Sequence, residues 1–369
     1  MMNEVIVLIP SLDPDHKLIR TVESLIGEGF SKILLVNDGS KKENLHIFDE
    51  LAMHDEVSVI GYEKNQGKGY ALKYGFKYVL ENFPDAKGVL TADGDGQHLA
   101  FDCMKTAEAM LKRDEIVLGC RNFKDPSVPK RNKAGNTISI FVYNYLCGIK
   151  LSDTQTGLRA IPARYLEPFA YVEGNRFEYE TNTLLYMKKN NISFSEVPIS
   201  TVYEEDSNQG SHFKVVSDSI KIYKPLLKFG GPMLLKFICG SLLSTLIDLG
   251  CFTLLTWLLD KLFAKKAEPD FLAIIGSVFI AGFIARVLSS LFNYTFNRNA
   301  VFKDKKSAKH TILKYYALAV LIFGASTIAV SVISFIFGKH GIAKTIIKFI
   351  VDALLFIISY KVQREWVFK

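Results

Sequence analysis

After Gly230-Gly231-Pro232 the chain stops reading like a water-soluble protein. Four apolar stretches follow, at residues 234–259, 271–292, 315–337 and 345–360. A hydrocarbon core about 30 Å thick takes ~20 residues of helix at 1.5 Å per residue. Within it every backbone N–H and C=O must find a partner inside the segment, which leaves helices as the fold. The first three stretches meet that length. The fourth does so only by extending back to Gly341, which takes in Lys344 and Lys348. The composition, 49% hydrophobic and 22% charged, therefore averages two unlike parts. Residues 1–229 mix charge with short apolar runs as a globular domain does, and residues 230–369 are expected to form an all-α, four-helix transmembrane domain.

The charge pattern orients those helices. The connection at 298–314 carries Arg298, Lys303, Lys305, Lys306, Lys309 and Lys314 against Asp304 alone, whereas 260–270 balances three lysines with three acids. Basic loops stay on the cytoplasmic side. An even number of spans then puts both termini and the first domain in the cytoplasm, as a multi-pass protein of the cell membrane. The 337–344 loop, with Lys339 and His340, runs against this pattern. The net charge of +7 is small, and its basic residues cluster near apolar segments. The partner they suit is the lipid bilayer and its anionic headgroups, not nucleic acid. Cys103, Cys120, Cys147, Cys239 and Cys251 show neither zinc spacing nor a disulfide pattern and read as reduced thiols. The N-terminus has no basic segment or cleavage site and reads as a first strand. The ends of the second and fourth spans, residues 293–302 and 359–368, share an amide-Arg pair and a final Val-Phe at equal spacing, a repeat that predicts two paired hairpins.

In the first domain, strand-like runs at 5–9, 33–36, 57–62, 89–92 and 116–119 alternate with helical patterns at 18–26, 45–53, 71–80 and 104–111. That alternation predicts an α/β fold with an open parallel sheet covered by helices. Ligands in such sheets lie at the carboxyl ends of the strands. Polar residues collect at those ends: Ser11 and Asp13, Asn37 and Asp38, residues 65–68, residues 93–97 and Arg121. The sharpest group is Asp93-Gly94-Asp95-Gly96-Gln97-His98. On a continuing strand its two acids would face opposite ways, so they can share a site only where the strand breaks, and Gly94 and Gly96 are expected to break it. Mg2+ or Mn2+ held there would bridge a diphosphate, with Gln97 adding an oxygen. His98 reads as a turn histidine. Asp38 reads either as a site residue or as a turn and helix cap. Asn65-Gln66-Gly67-Lys68-Gly69 reads either as a flexible turn or as a backbone that brings Lys68 to ribose or phosphate.

With these residues placed, residues 4–225 resemble glycosyltransferase family 2, of GT-A (Rossmann-like) fold, and within it the polyprenyl-phosphate glycosyltransferases typified by dolichol-phosphate mannose synthase. Ile9-Pro10, Val36-Asn37-Asp38-Gly39-Ser40, the 65–69 segment and the 93–98 segment occur in the family's order. The resemblance implies that Pro10, Leu12, Asp38 and Lys68 contact the nucleotide. It implies that Asp93, Gly94 and Asp95 hold the nucleotide sugar, with Asp95 and Gln97 on the metal. Gly119-Cys120-Arg121 resembles a Gly-x-Arg whose arginine approaches the donor diphosphate. Residues 128–136 resemble the acceptor loop, which implies Arg131 and Asn136 as ligands of the lipid phosphate. Residues 153–159 match a segment near the sugar, and 196–199 and 211–213 the closing strand and the start of a juxtamembrane helix. Gly94 stands where many relatives have alanine, and Leu12-Asp13-Pro14 replaces Tyr-Asn-Glu, which leaves uridine and guanosine both open. Residues 138–149 and 213–229 have the composition of interfacial helices, and 138–149 suits a helix packed on the soluble core equally well.

Residues 233–369 resemble the GtrA-like membrane family through the two repeated ends and through Ser-Thr-Leu-Ile-Asp at 244–248. That implies anchoring, acceptor handling or translocation of a product. Asp248, Arg286 and Asp352 fall at span depth, where ionisable groups are either functional or structurally paired. Together these resemblances imply inverting transfer of a sugar from a UDP- or GDP-linked donor to an undecaprenyl- or dolichyl-type polyprenyl phosphate, serving cell-envelope glycan or protein glycosylation. Asp93, Asp95, Arg121 and Arg131 are the implied catalytic residues, and homo-oligomerisation stays open. Two rival functions fit the residues less well. A processive polysaccharide synthase would carry Gln-x-x-Arg-Trp, which the catalytic half lacks. A lipid-linked sugar translocase with a vestigial enzyme domain sits poorly with intact acids and arginines.

Overall fold

The computed structural model describes residues 2–126, 128–200, 215–263, 271–305, 307–336 and 342–369. The chain folds as two compact units, Met1–Phe229 and Gly230–Lys369. In the first, β1 (Val5–Ser11), α1 (His16–Gly27), β2 (Ile33–Asp38), α2 (Leu45–Leu51), β3 (Val57–Tyr62), α3 (Lys68–Asn82), β4 (Gly88–Thr91), α4 (Ala100–Arg113) and β5 (Ile116–Arg121) alternate along the chain. Then come α5 (Lys130–Val142), β6 (Arg159–Pro162), α6 (Leu166–Ala170), α7 (Glu178–Lys189) and β7 (Phe194–Ile199).

The strands form one sheet in the order β3-β2-β1-β4-β6-β5-β7. Central parallel strands are covered on both faces, so they read as unbroken apolar runs. In β1, Ile6 and Leu8 enter one core layer with Ala71, Phe76 and Val79 of α3. Val5, Val7 and Ile9 enter the other, with Leu18, Val22 and Leu25 of α1. Helix α1 starts where Asp15 accepts a hydrogen bond from the Lys17 N–H at 2.8 Å, a side-chain cap.

The sheet is mixed and not purely parallel. β6 runs antiparallel to both β4 and β5. The chain leaves β5 at the carboxyl edge, and among the described residues of 122–158 no strand recrosses the sheet. A strand entering from that edge must run the opposite way. The detour has a consequence for the site, since it hangs residues 152–157 over the carboxyl ends of β4 and β5. The four residues of β6 are too few to show a period, which is why this strand has no signature in the sequence. Helix α5 leaves Ile138 and Phe141 exposed, while Ser139 Oγ lies 2.7 Å from Tyr223 Oη.

Helix α8 (Val215–Phe263) runs without a break through Gly230-Gly231-Pro232. Pro232 removes one intrahelical N–H, and the flanking turns carry the helix past it. The second unit continues with α9 (Phe271–Phe296), α10 (Ala308–Ile336) and α11 (Ile342–Val362). Among the described residues, three helical stretches are long and apolar enough to cross a bilayer: Ile220–Leu259, Val278–Val301 and Ala308–Ile333. Helix α11 has 21 residues and is interrupted by Lys348 and Asp352. Lys306, Ser211-His212-Phe213 and the loop at 337–341 lie outside the described residues.

The repeat read from residues 293–302 and 359–368 has a physical counterpart. Both ends finish in a π-helical turn, Asn297–Val301 and Gln363–Val367. Tyr294 meets Phe368 at 5.9 Å and its equivalent Tyr360 meets Phe302 at 6.1 Å, a reciprocal exchange. Phe302 stacks on Phe368 at 5.1 Å, and Asn297 Nδ2 donates to Gln363 Oε1 at 3.1 Å. Equivalent residues thus meet each other across a pseudo-twofold. The same repeat aligns Arg286 with Asp352, and each clasps the preceding helix. Arg286 lies 3.3 Å from Asp248, and Ser326 Oγ donates to Asp352 at 2.6 Å with Lys348 2.7 Å away. Asp248, Arg286 and Asp352 are therefore each paired.

Candidate active site at the carboxyl edge of the sheet

Strand β4 ends at Thr91, and Asp93 follows after Ala92 at the carboxyl edge. The Asp93 carboxylate lies 2.6 Å from Lys68 Nζ, and the same ammonium reaches Glu180 of α7 at 2.8 Å. Burial alone would raise the Asp93 carboxyl, but the Lys68 charge outweighs it and brings the group down to about 2. Burial likewise opposes the Lys68 ammonium, and the two carboxylates overcome that and hold it above the ordinary lysine value. The Asp93 N–H donates to His98 Nδ1 at 3.1 Å, which leaves the ring proton on Nε2. Burial pushes this imidazole down, so it is neutral. His98 is a turn histidine that folds the 93–98 segment back on itself.

Asp95 is exposed beside this group, and its Oδ1 accepts the Gln97 N–H at 3.1 Å. The surrounding loop and the Asp93 charge push its carboxyl above the ordinary value. Of the two glycines expected to break the strand, only Gly96 needs positive φ (+80°). Gly94 matters for space: a Cβ there would lie 2.7 Å from Leu18 Cδ1, so Leu18 fills the room an alanine methyl would take. Gly157 of the overhanging loop is tighter still. A Cβ would lie 2.4 Å from Asp93 Oδ2 and 3.0 Å from Lys68 Nζ, so the loop can close over the ion pair only with glycine.

Arg121, the last residue of β5, is gripped by Asp153. Arg121 Nε donates to Oδ2 at 2.7 Å and Nη2 to Oδ1 at 3.1 Å, while the Asp153 side chain has no exposed surface. Its guanidinium also stands over the Phe123 ring at 5.1 Å. Asn136, expected as an acceptor ligand, is buried and turned into the loop. Its Nδ2 donates to the Ser152 carbonyl at 2.9 Å, and its Oδ1 accepts from the Thr154 N–H and Oγ1, both at 3.3 Å. Arg131 is the second residue of α5, and its side chain lies outside the described residues.

Asp38 is 3% exposed and fully engaged. It accepts from Tyr62 Oη at 2.7 Å, the Gln66 N–H at 2.8 Å and the Gly67 N–H at 2.9 Å, and so pins the 65–69 segment against β3. Pro10 and Leu12 stand at the end of β1 beside it, where the Asp13 N–H donates to Ser40 Oγ at 2.9 Å. The structure therefore brings Lys68, Asp93, Asp95 and Gln97 together at the end of β4. Pro10, Leu12 and Asp38 lie at the neighbouring ends of β1 and β2.

Comparison with known proteins agrees with this architecture. Residues 6–169 match glycosyl transferase family 2, and residues 236–368 match the GtrA/DPMS transmembrane domain. A UDP-N-acetylglucosamine–dolichyl-phosphate N-acetylglucosaminyltransferase of Methanococcus voltae is 30% identical over 219 residues, covering 54% of this chain and 86% of that protein. The chain belongs to glycosyltransferase family 2. It is also 25% identical over 219 residues to a dolichyl-phosphate beta-glucosyltransferase of Saccharomyces cerevisiae, covering 53% of this chain and 63% of that one. Among solved structures, a glucosyl-3-phosphoglycerate synthase of Mycobacterium tuberculosis with UDP has a TM-score of 0.46 at 12% identity, covering 62% of this chain and 80% of that one. The family match makes the protein a glycosyltransferase, and its second unit makes it a membrane protein.

Among the described residues of this glycosyltransferase, no three His, Cys, Asp or Glu side chains gather as a ready metal cage. Asp95, with its raised carboxyl and an edge open to solvent, and the amide of Gln97 form a smaller oxygen-donor set. That set fits Mg2+ or Mn2+, which bind through one or two carboxylates and take remaining oxygens from substrate phosphates. A cation beside Asp95 would also offset the repulsion from Asp93. Gly157 belongs to the 153–159 segment expected near the sugar, whereas Glu180 does not stand out in the sequence as part of this site. Glu180 lies on a helix far along the chain, and no local pattern ties it to Lys68.

Proposed function

We propose that this enzyme transfers a sugar from a UDP- or GDP-linked donor to polyprenyl phosphate with inversion, giving a polyprenyl-phosphate sugar. The observation that carries the reading is the carboxyl edge itself. Ionised Asp93, Asp95 and the Asp153-held Arg121 converge there, in a chain whose other unit matches a membrane family. The two relatives named above act on dolichyl phosphate, which supports the acceptor class. The acceptor phosphate is already an anion at neutral pH, so the site needs charge control and no general base. Asp93 stays ionised and can orient sugar hydroxyls. Arg121 is aimed by Asp153 to stabilise the departing nucleoside diphosphate. Arg131, at the start of α5, is assigned to the attacking phosphate, where guanidinium binds two oxygens at once. A divalent cation on Asp95 and Gln97 would supply further neutralisation of the diphosphate. The basic 298–314 loop supports a cytoplasmic placement of the catalytic unit, beside the nucleotide sugar.

The test is direct. Full-length protein in detergent is given radiolabelled UDP- and GDP-sugars with polyprenyl phosphate and Mg2+ or Mn2+. Label should enter the organic phase for at least one donor, and Asp95→Ala and Arg131→Ala should each lose it. No lipid-linked label with any donor would overturn the reading, and full activity in either variant would overturn the site.

A further inference from the structure

We infer that Asn136 is a positioning residue that acts through Asp153 on Arg121, so that the acceptor helix α5 sets the geometry of the donor-diphosphate arginine. The inference rests on the function proposed above and changes the role given to one residue within it. An acceptor-phosphate ligand needs a donor pointing into an open cleft. Asn136 is 7% exposed, and its amide hydrogen bonds run to Ser152 and Thr154. These two residues flank Asp153, whose Oδ1 and Oδ2 both serve Arg121. The loop is held at other points as well. Ser152 N–H donates to Glu196 Oε1 of β7 at 2.7 Å, Gln155 N–H to Asp153 Oδ1 at 3.0 Å and Arg121 N–H to Asp153 Oδ2 at 3.3 Å. Thr91 Oγ1 donates to the Gly157 carbonyl at 2.7 Å and Thr156 Oγ1 to the Gly119 carbonyl. Asn136 is the side chain among these that bonds to both neighbours of Asp153.

The linkage is continuous. Arg131 and Asn136 lie on the same 13-residue helix. Asn136 fixes both neighbours of Asp153, and Asp153 fixes the guanidinium in two-point contact. Two-point carboxylate–guanidinium geometry is directional, so a displaced carboxylate turns the arginine with it. A rigid-body shift of α5 on engaging an acceptor would thus be delivered to Arg121. Productive donor geometry is then coupled to acceptor occupancy, which would restrain transfer of the sugar to water.

The two roles for Asn136 give opposite kinetics. A phosphate ligand lost in Asn136→Ala would raise the acceptor KM and leave kcat at saturation near wild type. A positioning residue lost would lower kcat by roughly ten- to a hundred-fold, the scale of a small misplacement of a reacting group, and leave the acceptor KM nearly unchanged. In an Arg121→Ala background, Asn136→Ala should add no further loss, because both changes remove one function. Thr154→Val, which deletes only the hydroxyl bond to Asn136, should give a smaller loss in the same direction, and it carries the test if Asn136→Ala does not fold. A raised acceptor KM with wild-type kcat, or additive losses in the double variant, would overturn the inference and leave the proposed function standing. If wild-type protein transfers no label to lipid, the proposed function falls instead. Binding of UDP or GDP alone, expected to weaken severalfold in Asn136→Ala, then still decides whether Asn136 acts on Arg121. Unchanged nucleotide affinity would count against it.

Discussion

Replacing Lys68 with Met keeps the side-chain length and removes the one positive charge shared by Asp93 and Glu180. The wild-type pair depresses the Asp93 carboxyl from 3.8 to about 2, a difference worth roughly 2 kcal/mol at 1.36 kcal/mol per unit. The side chains of Lys68, Asp93 and Glu180 are 19%, 30% and 15% exposed. Breaking a fully buried pair costs about 3–5 kcal/mol, so this partly wetted one should cost about 2–4 kcal/mol. For a domain of this size, at about 2–4 °C per kcal/mol, that corresponds to a Tm drop of roughly 4–16 °C. The molecule supplies its own probe, since Cys103, Cys120 and Cys147 are buried in the catalytic unit. Burial pushes the Cys103 and Cys120 thiols up to about 12, so a thiol-reactive fluorophore reports their unfolding. A Cys239→Ser, Cys251→Ser background removes the accessible thiols of the second unit. The pH dependence carries a sign. In wild type, the Asp93 contribution is present above the unfolded carboxylate value near 4 and is lost as pH falls toward 2. In Lys68→Met, two unneutralised carboxylates face each other, so one takes up a proton at higher pH and relieves the repulsion. The deficit should therefore be largest at pH 7.5 and smaller at pH 4.5, with Lys68→Arg retaining most stability. An unchanged Tm at pH 7.5, or the same deficit at both values, would refute the view that Lys68 neutralises Asp93.

Other consequences are equally specific. Gly157→Ala places a methyl 2.4 Å from Asp93 Oδ2. It should cost about 1–3 kcal/mol as an overpacked site and raise the donor KM severalfold, measured by the same thiol melt and by initial rates. Protons compete with a cation for Asp95, whose carboxyl titrates above the ordinary value. The stabilisation by Mg2+ or Mn2+ with nucleoside diphosphate should fade as pH falls through that raised value, and Asp95→Asn should show no metal-dependent thermal shift at any pH. In the second unit, Gln363→Leu leaves Asn297, which is fully buried, without its cross-repeat acceptor. Hydrogen bonds between membrane helices average about 0.6 kcal/mol, so the loss should be small. Asn297 Nδ2 keeps its bond to Asn293 Oδ1 at 2.7 Å, so one amide proton loses its partner, and the double variant Asn297→Leu, Gln363→Leu should be slightly more stable than the single one because that proton is removed too. Trp257 and Trp366 both lie in the second unit, so tryptophan emission on heating reads it selectively.

The first five strands are legible because each is a compact apolar run between polar ends, and their observed limits fall within two residues of those expected. The repeated ends of the second and fourth helices are legible as residue spacing, and in the fold they touch each other. The site is legible only as a set of strand ends. Asp93, Asp95 and Gln97 stand out because they crowd one short segment. Asp38 reads as a ligand or as a turn, and the structure shows it tying down the 65–69 segment through the Gln66 and Gly67 N–H groups. Lys68 reads as a phosphate contact, yet its ammonium lies between two carboxylates of its own chain. Asn136 groups with Arg131 by position in a loop, whereas its amide is bonded to Ser152 and Thr154.

The division between these outcomes follows from the range of the forces. Hydrophobic periodicity, helix length against bilayer thickness and the basic 298–314 connection act within a few turns of chain. The strands, the helices and the point where a globular half gives way to an apolar one are therefore written locally in the residues. Charge pairing and steric closure act between groups that only folding brings within 3 Å. Which carboxylate meets Lys68, why Gly157 must lack a side chain, and which way Asn136 turns all depend on the antiparallel return of β6. It is that return which carries residues 152–157 back across the carboxyl edge of the sheet.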